Sequence, residues 1–272
     1  MPAAPQIIQA GGRGSFVNTP ISIKSRDNPL LKELRKLVRD NTGYRKAGHF
    51  WVEGEHLCSA ALQRQQKPKV AVFSEDYLAV APVEYTQAAI KSIVIPGGLF
   101  RELSGLESPS AVGFVLDLPV DINIQPQVPT VLLDRVQDAG NVGSILRSAG
   151  AFGFRQVIAT KGTAALWSPK VLRSAMGAHF GLTLIEGVEI DALEALGPLP
   201  LIVTSSHLGA LVQNLKLPQP CVWAFGHEGQ GVCPDLFARA AMLVQIGQPG
   251  GEESLNVAAA AAICLHASSL TF

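Results

Sequence analysis

The chain has 272 residues, 47% hydrophobic and 16% charged, which lets it bury sizeable cores and excludes wholesale disorder. Its 22 Lys and Arg balance 22 Asp and Glu, which excludes the overall positive charge of a generic nucleic-acid binder. The longest apolar run, 257–265, falls far short of the ~20 residues that span a bilayer, and no signal peptide is evident, so a soluble, cytoplasmic protein is expected.

Residues 1–20 are rich in Ala, Gly and Pro without periodicity and are expected to form a flexible tail. Asn28-Pro29 then supplies an N-cap followed by proline at the first helical position. Leu30, Leu31, Leu34, Leu37 and Val38 recur at helical spacing, with Lys32, Arg35, Lys36 and Arg39 mainly between them. This amphipathic helix presents a basic face, which is either a phosphate-contacting surface or a solvated one. Strands are predicted at 50–53, 69–73, 92–95 and 112–116, with helices at 56–62 and 99–103. Together they make a small α/β domain over 21–118, and the proline-rich stretch 119–129 is the predicted linker.

The pattern restarts in a second domain, 130–272. Strands are predicted at 131–134, 156–159, 182–185, 201–204, 221–225 and 243–246, a helix at 142–151, and an Ala-rich helix from about 255. Short apolar strands separated by helices imply a mainly parallel sheet covered on both faces. Ligands in such sheets bind beyond the carboxyl ends of the strands, so the chemistry belongs in the loops there. Four cysteines, Cys58, Cys221, Cys233 and Cys264, lack the C-x-x-C spacing of a zinc site and read as reduced thiols, and no metal-ligand set stands out.

Three loops carry the candidate chemistry. In the first, a strand runs into Gly140-Asn141-Val142-Gly143 and a helix bearing Arg147, an arrangement suited to close backbone approach and to an anion. A dinucleotide loop is the competing reading, but G-x-x-G is not G-x-G-x-x-G. Arg147 is either a site residue on the first turns of that helix or a surface arginine. The second loop, Gly226-His227-Glu228-Gly229-Gln230-Gly231, is either a backbone shaped around a ligand or a tight turn in which Glu228 caps neighbouring N–H groups. In the third, 246–257, Pro249-Gly250-Gly251 forces an irregular path, and Ser254 or Asn256 can cap the last helix.

NVGSILRSAGAFG, FGHEGQGV and ESLNVAAAAAICLH, in this order, resemble the three signature motifs of the SpoU (TrmH-type) branch of the SPOUT RNA methyltransferases. Residues 168–180 and 50–62 are similar to further segments of that family. The resemblance implies a methyltransferase domain with a deep trefoil knot, a homodimer, and S-adenosylmethionine bent into the knotted loops. Thr204, Gly226, Ile246 and Leu255 would hold the cofactor. Asn141, Arg147, Glu228, Ser254 and Asn256 would form the catalytic constellation. The N-terminal domain resembles the ribosomal-protein-like module that grips structured RNA, with Lys32, Arg35, Lys36 and Arg39 as its phosphate contacts. The implied activity is methylation of a ribose 2′-hydroxyl without a metal, in large-subunit ribosomal RNA rather than transfer RNA. Alternatives are the same chemistry on transfer RNA, or a non-catalytic ribosome-assembly factor on the same fold. The chain departs from the family pattern at Gly247, where proline often follows the isoleucine, and at Gly140, where proline often precedes the asparagine.

Overall fold

A computed structural model describes residues 19–106, 108–250 and 254–270. The flexible tail expected for residues 1–20 lies almost wholly outside the described residues, as does Gly251 of the third loop.

The first half builds a five-stranded mixed sheet from β1 (Ile21–Ser22), β2 (His49–Glu53), β3 (Val70–Ser74), β4 (Lys91–Ile95) and β5 (Val112–Asp117), in the order β1-β4-β3-β5-β2. Six helices accompany them: α1 (Pro29–Arg39), α2 (Gly43–Ala47), α3 (Glu55–Gln63), α4 (Glu75–Leu78), α5 (Val83–Ala88) and α6 (Gly97–Leu103). Asn28 caps α1 by accepting from the Leu30 N–H, and Leu31, Leu34 and Leu37 are buried, as the spacing predicts. Sequence periodicity did not reveal β1, α2, α4 or α5, each six residues or fewer and too short to show a repeat. Residues 119–129 contain no strand or helix.

The second half builds a seven-stranded sheet in which every pairing is parallel. In chain order its elements are β6 (Thr130–Asp134), α7 (Ala139–Ala151), β7 (Gln156–Thr160), α8 (Pro169–Ser174), β8 (Thr183–Val188), β9 (Leu201–Thr204), β10 (Ala210–Leu211), β11 (Val222–Gly226), α9 (Pro234–Ala238), β12 (Met242–Gln245) and α10 (Val257–Ser269). The strand order is β10-β12-β9-β11-β6-β7-β8. Side chains alternate between two cores. Val131, Leu133, Trp223 and Phe225 pack on one face with α7 and α10 residues, whereas Leu132, Val222 and Ala224 pack on the other with Leu193, Leu196 and Leu236. Burial on both faces explains the apolar runs, and the parallel direction sends β6, β9, β11 and β12 to a common edge where their loops meet.

The two sheets share one continuous buried cluster. At their junction Glu186 accepts from the Tyr44 hydroxyl at 2.7 Å, the Leu166 N–H at 2.6 Å and Arg45 at 3.4 Å. The rings of Phe50 and Trp167 lie 4.6 Å apart. Burial pushes His179 down to about 4, so the ring is neutral and its Nε2–H donates to the Leu166 carbonyl at 2.7 Å.

Candidate active site

The site begins at the end of β6. Asp134 is buried, and its carboxylate accepts from the Cys233 N–H at 2.7 Å and from both Nε and Nη2 of Arg135. Arg135 has φ of +59°, a left-handed conformation that costs a non-glycine residue roughly 1–2 kcal/mol. Its guanidinium offsets that strain by also reaching Gln230 Oε1 at 2.9 Å and the Gly231 carbonyl. One side chain thus fastens the first loop to the second, and Arg135 was not singled out from sequence, because its contacts span 95 and 96 positions.

The second loop closes on itself through paired His227 and Gly231 backbone bonds, while His227 Nδ1 accepts from the Gly229 and Gln230 N–H groups. Gly226 has no room for a side chain, since a Cβ there would lie 2.2 Å from Gly231 C and Val232 N. The turn is held by His227, which frees Glu228 to reach out of it. Glu228 accepts from the Gln137 N–H and Asp138 N–H, both at 3.1 Å, and from Asn141 Nδ2 at 3.0 Å. Glu228 therefore caps N–H groups of the first loop, not of its own turn, and binds the Asn141 amide with the same carboxylate. Burial alone would raise the Glu228 pKa, but the Asn141 amide and the backbone donors outweigh it and hold the carboxyl below its ordinary value.

From Glu228 a chain of amides runs to the last helix. Asn141 Oδ1 accepts from Asn256 Nδ2 at 3.0 Å, and Asn256 Oδ1 caps α10 by accepting from the Ala258 and Ala259 N–H groups. Both ends fix the amide orientations. A carboxylate can only accept and a helix N-terminus can only donate, so each Asn has one consistent orientation between them. Asp138 caps α7 by accepting from the Asn141 N–H at 2.8 Å and pairs with Lys170 at 3.3 Å. That capping starts α7 at Ala139, three residues before the predicted start, and Asn256 rather than Ser254 caps α10, which starts at Val257.

The second and third loops, with the residues that follow β9, enclose a cleft of about 560 Å³, within the range of small-molecule sites. Asn141 lies outside its wall and is joined to it through Glu228 and Asn256. Thr204, Gly226, Ile246 and Leu255 all line it, as do Glu228, Ser254 and Asn256. Thr204 Oγ1 itself donates to the Ala224 carbonyl at 3.0 Å. Gln248, also in the wall and not singled out from sequence, holds its Oε1 buried without a hydrogen-bond partner. A buried acceptor unpartnered among the described residues costs about 1–3 kcal/mol, and a turn of this wall side chain toward the cleft would let it meet a ligand rich in N–H and O–H donors such as S-adenosylmethionine.

Arg147 stands apart from the cluster. It is the ninth residue of α7, exposed, outside the cleft wall and without a hydrogen-bond or ion-pair partner among the described residues. Six residues beyond Asn141 on a helix is about 9 Å along the axis and roughly 120° around it. Of the basic residues on α1, Lys32 pairs with Asp27 and Arg35 donates to the Arg26 carbonyl, which leaves Lys36 and Arg39 unpaired among the described residues. Cys58, Cys221 and Cys264 are buried free thiols, and Cys233 is half-buried. Among the described residues no cluster of His, Cys, Asp or Glu could hold a metal, and no helix is long and apolar enough to cross a membrane.

Comparison with known proteins places this geometry. The chain is 29% identical over 249 residues to the 23S rRNA (guanosine(2553)-2′-O)-methyltransferase RlmP of Bacillus subtilis, covering 90% of this chain and 97% of that protein. The AdoMet-bound rRNA methyltransferase from Sinorhizobium meliloti superposes with a TM-score of 0.77 at 25% identity, covering 91% of this chain and 96% of that one. The SpoU methyltransferase AviRb from Streptomyces viridochromogenes, in complex with AdoMet, gives 0.74 at 25% identity over 89% and 98% of the two chains. Residues 129–266, which hold all three loops, match the SpoU rRNA Methylase family, and the chain belongs to that family.

Proposed function

We propose that this protein transfers a methyl group from S-adenosylmethionine to a ribose 2′-hydroxyl of large-subunit ribosomal RNA. The observation that carries this reading is the hydrogen bonding of Asn141 to both Glu228 and Asn256, which line a cleft built from loops at strand ends. Relatives named as 23S rRNA 2′-O-methyltransferases and AdoMet-bound neighbours support it.

In this reading Thr204, Gly226, Ile246 and Leu255 hold the cofactor, joined by Gln248 through its free acceptor. When bound, the cofactor supplies an activated methyl on a sulfonium. The protein positions the hydroxyl in line with it and eases loss of the proton. Glu228 is a poor proton acceptor for this, because its carboxyl is held ionised and its oxygens are committed to three donors. Its role is to orient Asn141 and, through it, Asn256. Ser254, in the cleft wall and without a hydrogen bond among the described residues, is placed to meet the substrate. Arg147, a cation that does not give up its proton, stabilises the developing alkoxide or the adjacent phosphate.

Because one chain leaves Arg147 outside its own cleft, the reading includes a homodimer. Two features support it. Ser144, Arg147 and Ala151 form an exposed stripe on α7, and Ala259, Ile263, His266 and Leu270 form one on and just beyond α10. A second copy covering those stripes would bring an Arg147 to the seam between subunits. The domain division belongs to the same reading: a substrate-binding domain at 21–118, a linker at 119–129, and a methyltransferase domain at 130–272 whose C-terminal segment is threaded as a trefoil knot. So does a cytoplasmic location beside the ribosomal RNA.

Calorimetric titration of the purified protein with S-adenosylmethionine tests the catalytic reading against a non-catalytic assembly factor. Saturable binding with one cofactor per chain is expected. No uptake of heat at millimolar cofactor would contradict it.

A further inference from the structure

The basic residues of α1 lie in one half of the molecule and the cleft in the other, and α8 packs against both α1 and α7, the helix that carries Asn141. A Cβ placed at Gly105 would lie 2.9 Å from Val38 Cγ1 and 3.1 Å from Arg173 Nη1, so Arg173 of α8 meets the C-terminal end of α1 there. This is the end that carries Lys36 and Arg39. One helical turn earlier on α8, Lys170 pairs with Asp138, the residue that caps α7 and holds the Asn141 N–H. The approach of α8 to α7 is fixed by Gly143, where a Cβ would meet Ser174 Cβ at 2.3 Å and the Ala175 N at 2.9 Å.

Arg173 is half-exposed and has neither a carboxylate nor a hydrogen-bond partner among the described residues. Glu53, the carboxylate bound at Gly105, is occupied by the Ser104 hydroxyl and the Gly105 N–H at 3.1 Å. The Lys170–Asp138 pair is 59% and 49% exposed, so it contributes little and releases the ammonium readily to a stronger anion. A guanidinium without a counter-ion among the described residues and a loosely held ammonium, on side chains whose Cβ atoms are about 5–6 Å apart one turn from each other, suit successive anionic groups of a backbone.

We infer that α8 carries the phosphate backbone of the RNA from α1 to the cleft, with Arg173 and Lys170 each gripping a phosphate. The inference rests on the RNA-methyltransferase reading and adds to it the route by which the strand reaches Asn141. Phosphate contacts of this kind set position, not sequence, so base recognition lies elsewhere.

The test is binding of protein-free large-subunit ribosomal RNA fragments across a potassium chloride series. It uses the full chain, Lys170→Ala, Arg173→Ala, Arg173→Lys and, as a control for a distant exposed cation, Lys67→Ala. Each alanine variant on α8 is expected to lower the slope of log affinity against log salt by about 0.7–0.9, the loss of one phosphate contact. Arg173→Lys is expected to keep most of the slope, Lys67→Ala all of it, and every variant its affinity for S-adenosylmethionine. Unchanged slopes in Lys170→Ala and Arg173→Ala, beside a steep slope for the native chain, would overturn the route alone. Failure of Arg173→Lys to restore the slope, with a fall in melting temperature, would overturn it in favour of a packing role. If the native chain itself showed no salt-dependent RNA affinity, the underlying reading would fall and the route with it.

Discussion

Asn256 Nδ2 donates to Asn141 Oδ1 across 3.0 Å, although the two residues stand 115 positions apart. The same Asn256 caps α10 with its other amide atom, so fold stability and site geometry pass through one side chain. The two roles separate by substitution. Asp at position 256 keeps the capping oxygen but loses the donor to Asn141, whereas Ala loses both. Asn256→Asp is expected to melt close to the native chain and to lose tenfold or more in kcat/KM, a loss of about 1.4 kcal/mol or above. Asn256→Ala should lose activity and also about 0.5–2 kcal/mol of stability. Thermal melts and steady-state kinetics on both variants decide it. Full activity in Asn256→Asp would remove the amide chain from catalysis.

Glu228 sets a pH signature. Its folded pKa is held below the ordinary value of 4.5 by the Asn141 amide and backbone donors against the opposing effect of burial. A depressed carboxylate stabilises the fold above its unfolded pKa and loses that contribution as pH falls through the folded value. The stability difference between the native chain and Glu228→Gln should therefore be present at pH 7 and shrink below about pH 4. Denaturant titrations at pH 7, 5 and 3.5 measure it. The same shift predicts no rate limb from Glu228 between pH 6 and 9, and a Glu228-dependent limb there would make it the proton acceptor after all.

Arg135 combines backbone strain with bridging. Arg135→Gly relieves the φ of +59° but removes the guanidinium from Asp134, Gln230 and Gly231, and Arg135→Ala removes the bridge and keeps the strain. Melting temperatures should rank native, then Gly, then Ala, and both variants should bind S-adenosylmethionine more weakly because the Glu228 loop loosens. Equal cofactor affinity in all three would show that the bridge serves stability alone.

Gln248 supplies an acceptor in the cleft wall that nothing among the described residues satisfies. Gln248→Leu should weaken S-adenosylmethionine binding by about 2–10-fold, the span of one neutral hydrogen bond, with little change in melting temperature. Unaltered affinity by calorimetry would assign that oxygen to water.

Arg147→Ala should abolish turnover and leave cofactor affinity near native, because the side chain lies outside the cleft. If the site is completed across a dimer, mixing Arg147→Ala with an Asn141→Ala variant should restore part of the activity. Methylation assays on the separate and mixed variants measure this, and retained turnover by Arg147→Ala would remove the residue from the mechanism.

Period and capping made much of the fold legible. Leu31, Leu34 and Leu37 repeat at helical spacing behind Asn28-Pro29, and each buried parallel strand is a short apolar run. Gly226, packed against the nearby Gly231 and Val232, was readable too, whereas the partners of Glu228 lie in another loop. What escaped depends on contacts between distant segments. Arg135 reads as an ordinary surface cation until Gln230 is placed beside it, and Lys170 until Asp138 is. The starts of α7 and α10 shifted because Asp138 and Asn256, not the apolar pattern, decide where the first free N–H groups are satisfied. Arg147 reads as either a site residue or a surface arginine, and sequence alone does not place it on the exposed side of α7, outside the cleft wall.

The most direct measurement is nucleoside analysis of RNA treated with the purified chain and methyl-labelled S-adenosylmethionine. Unmethylated large-subunit ribosomal RNA and transfer RNA would be offered separately. Label should appear in a 2′-O-methylated nucleoside from the ribosomal RNA. Label confined to transfer RNA, or found on a base instead of a ribose, would contradict the assignment.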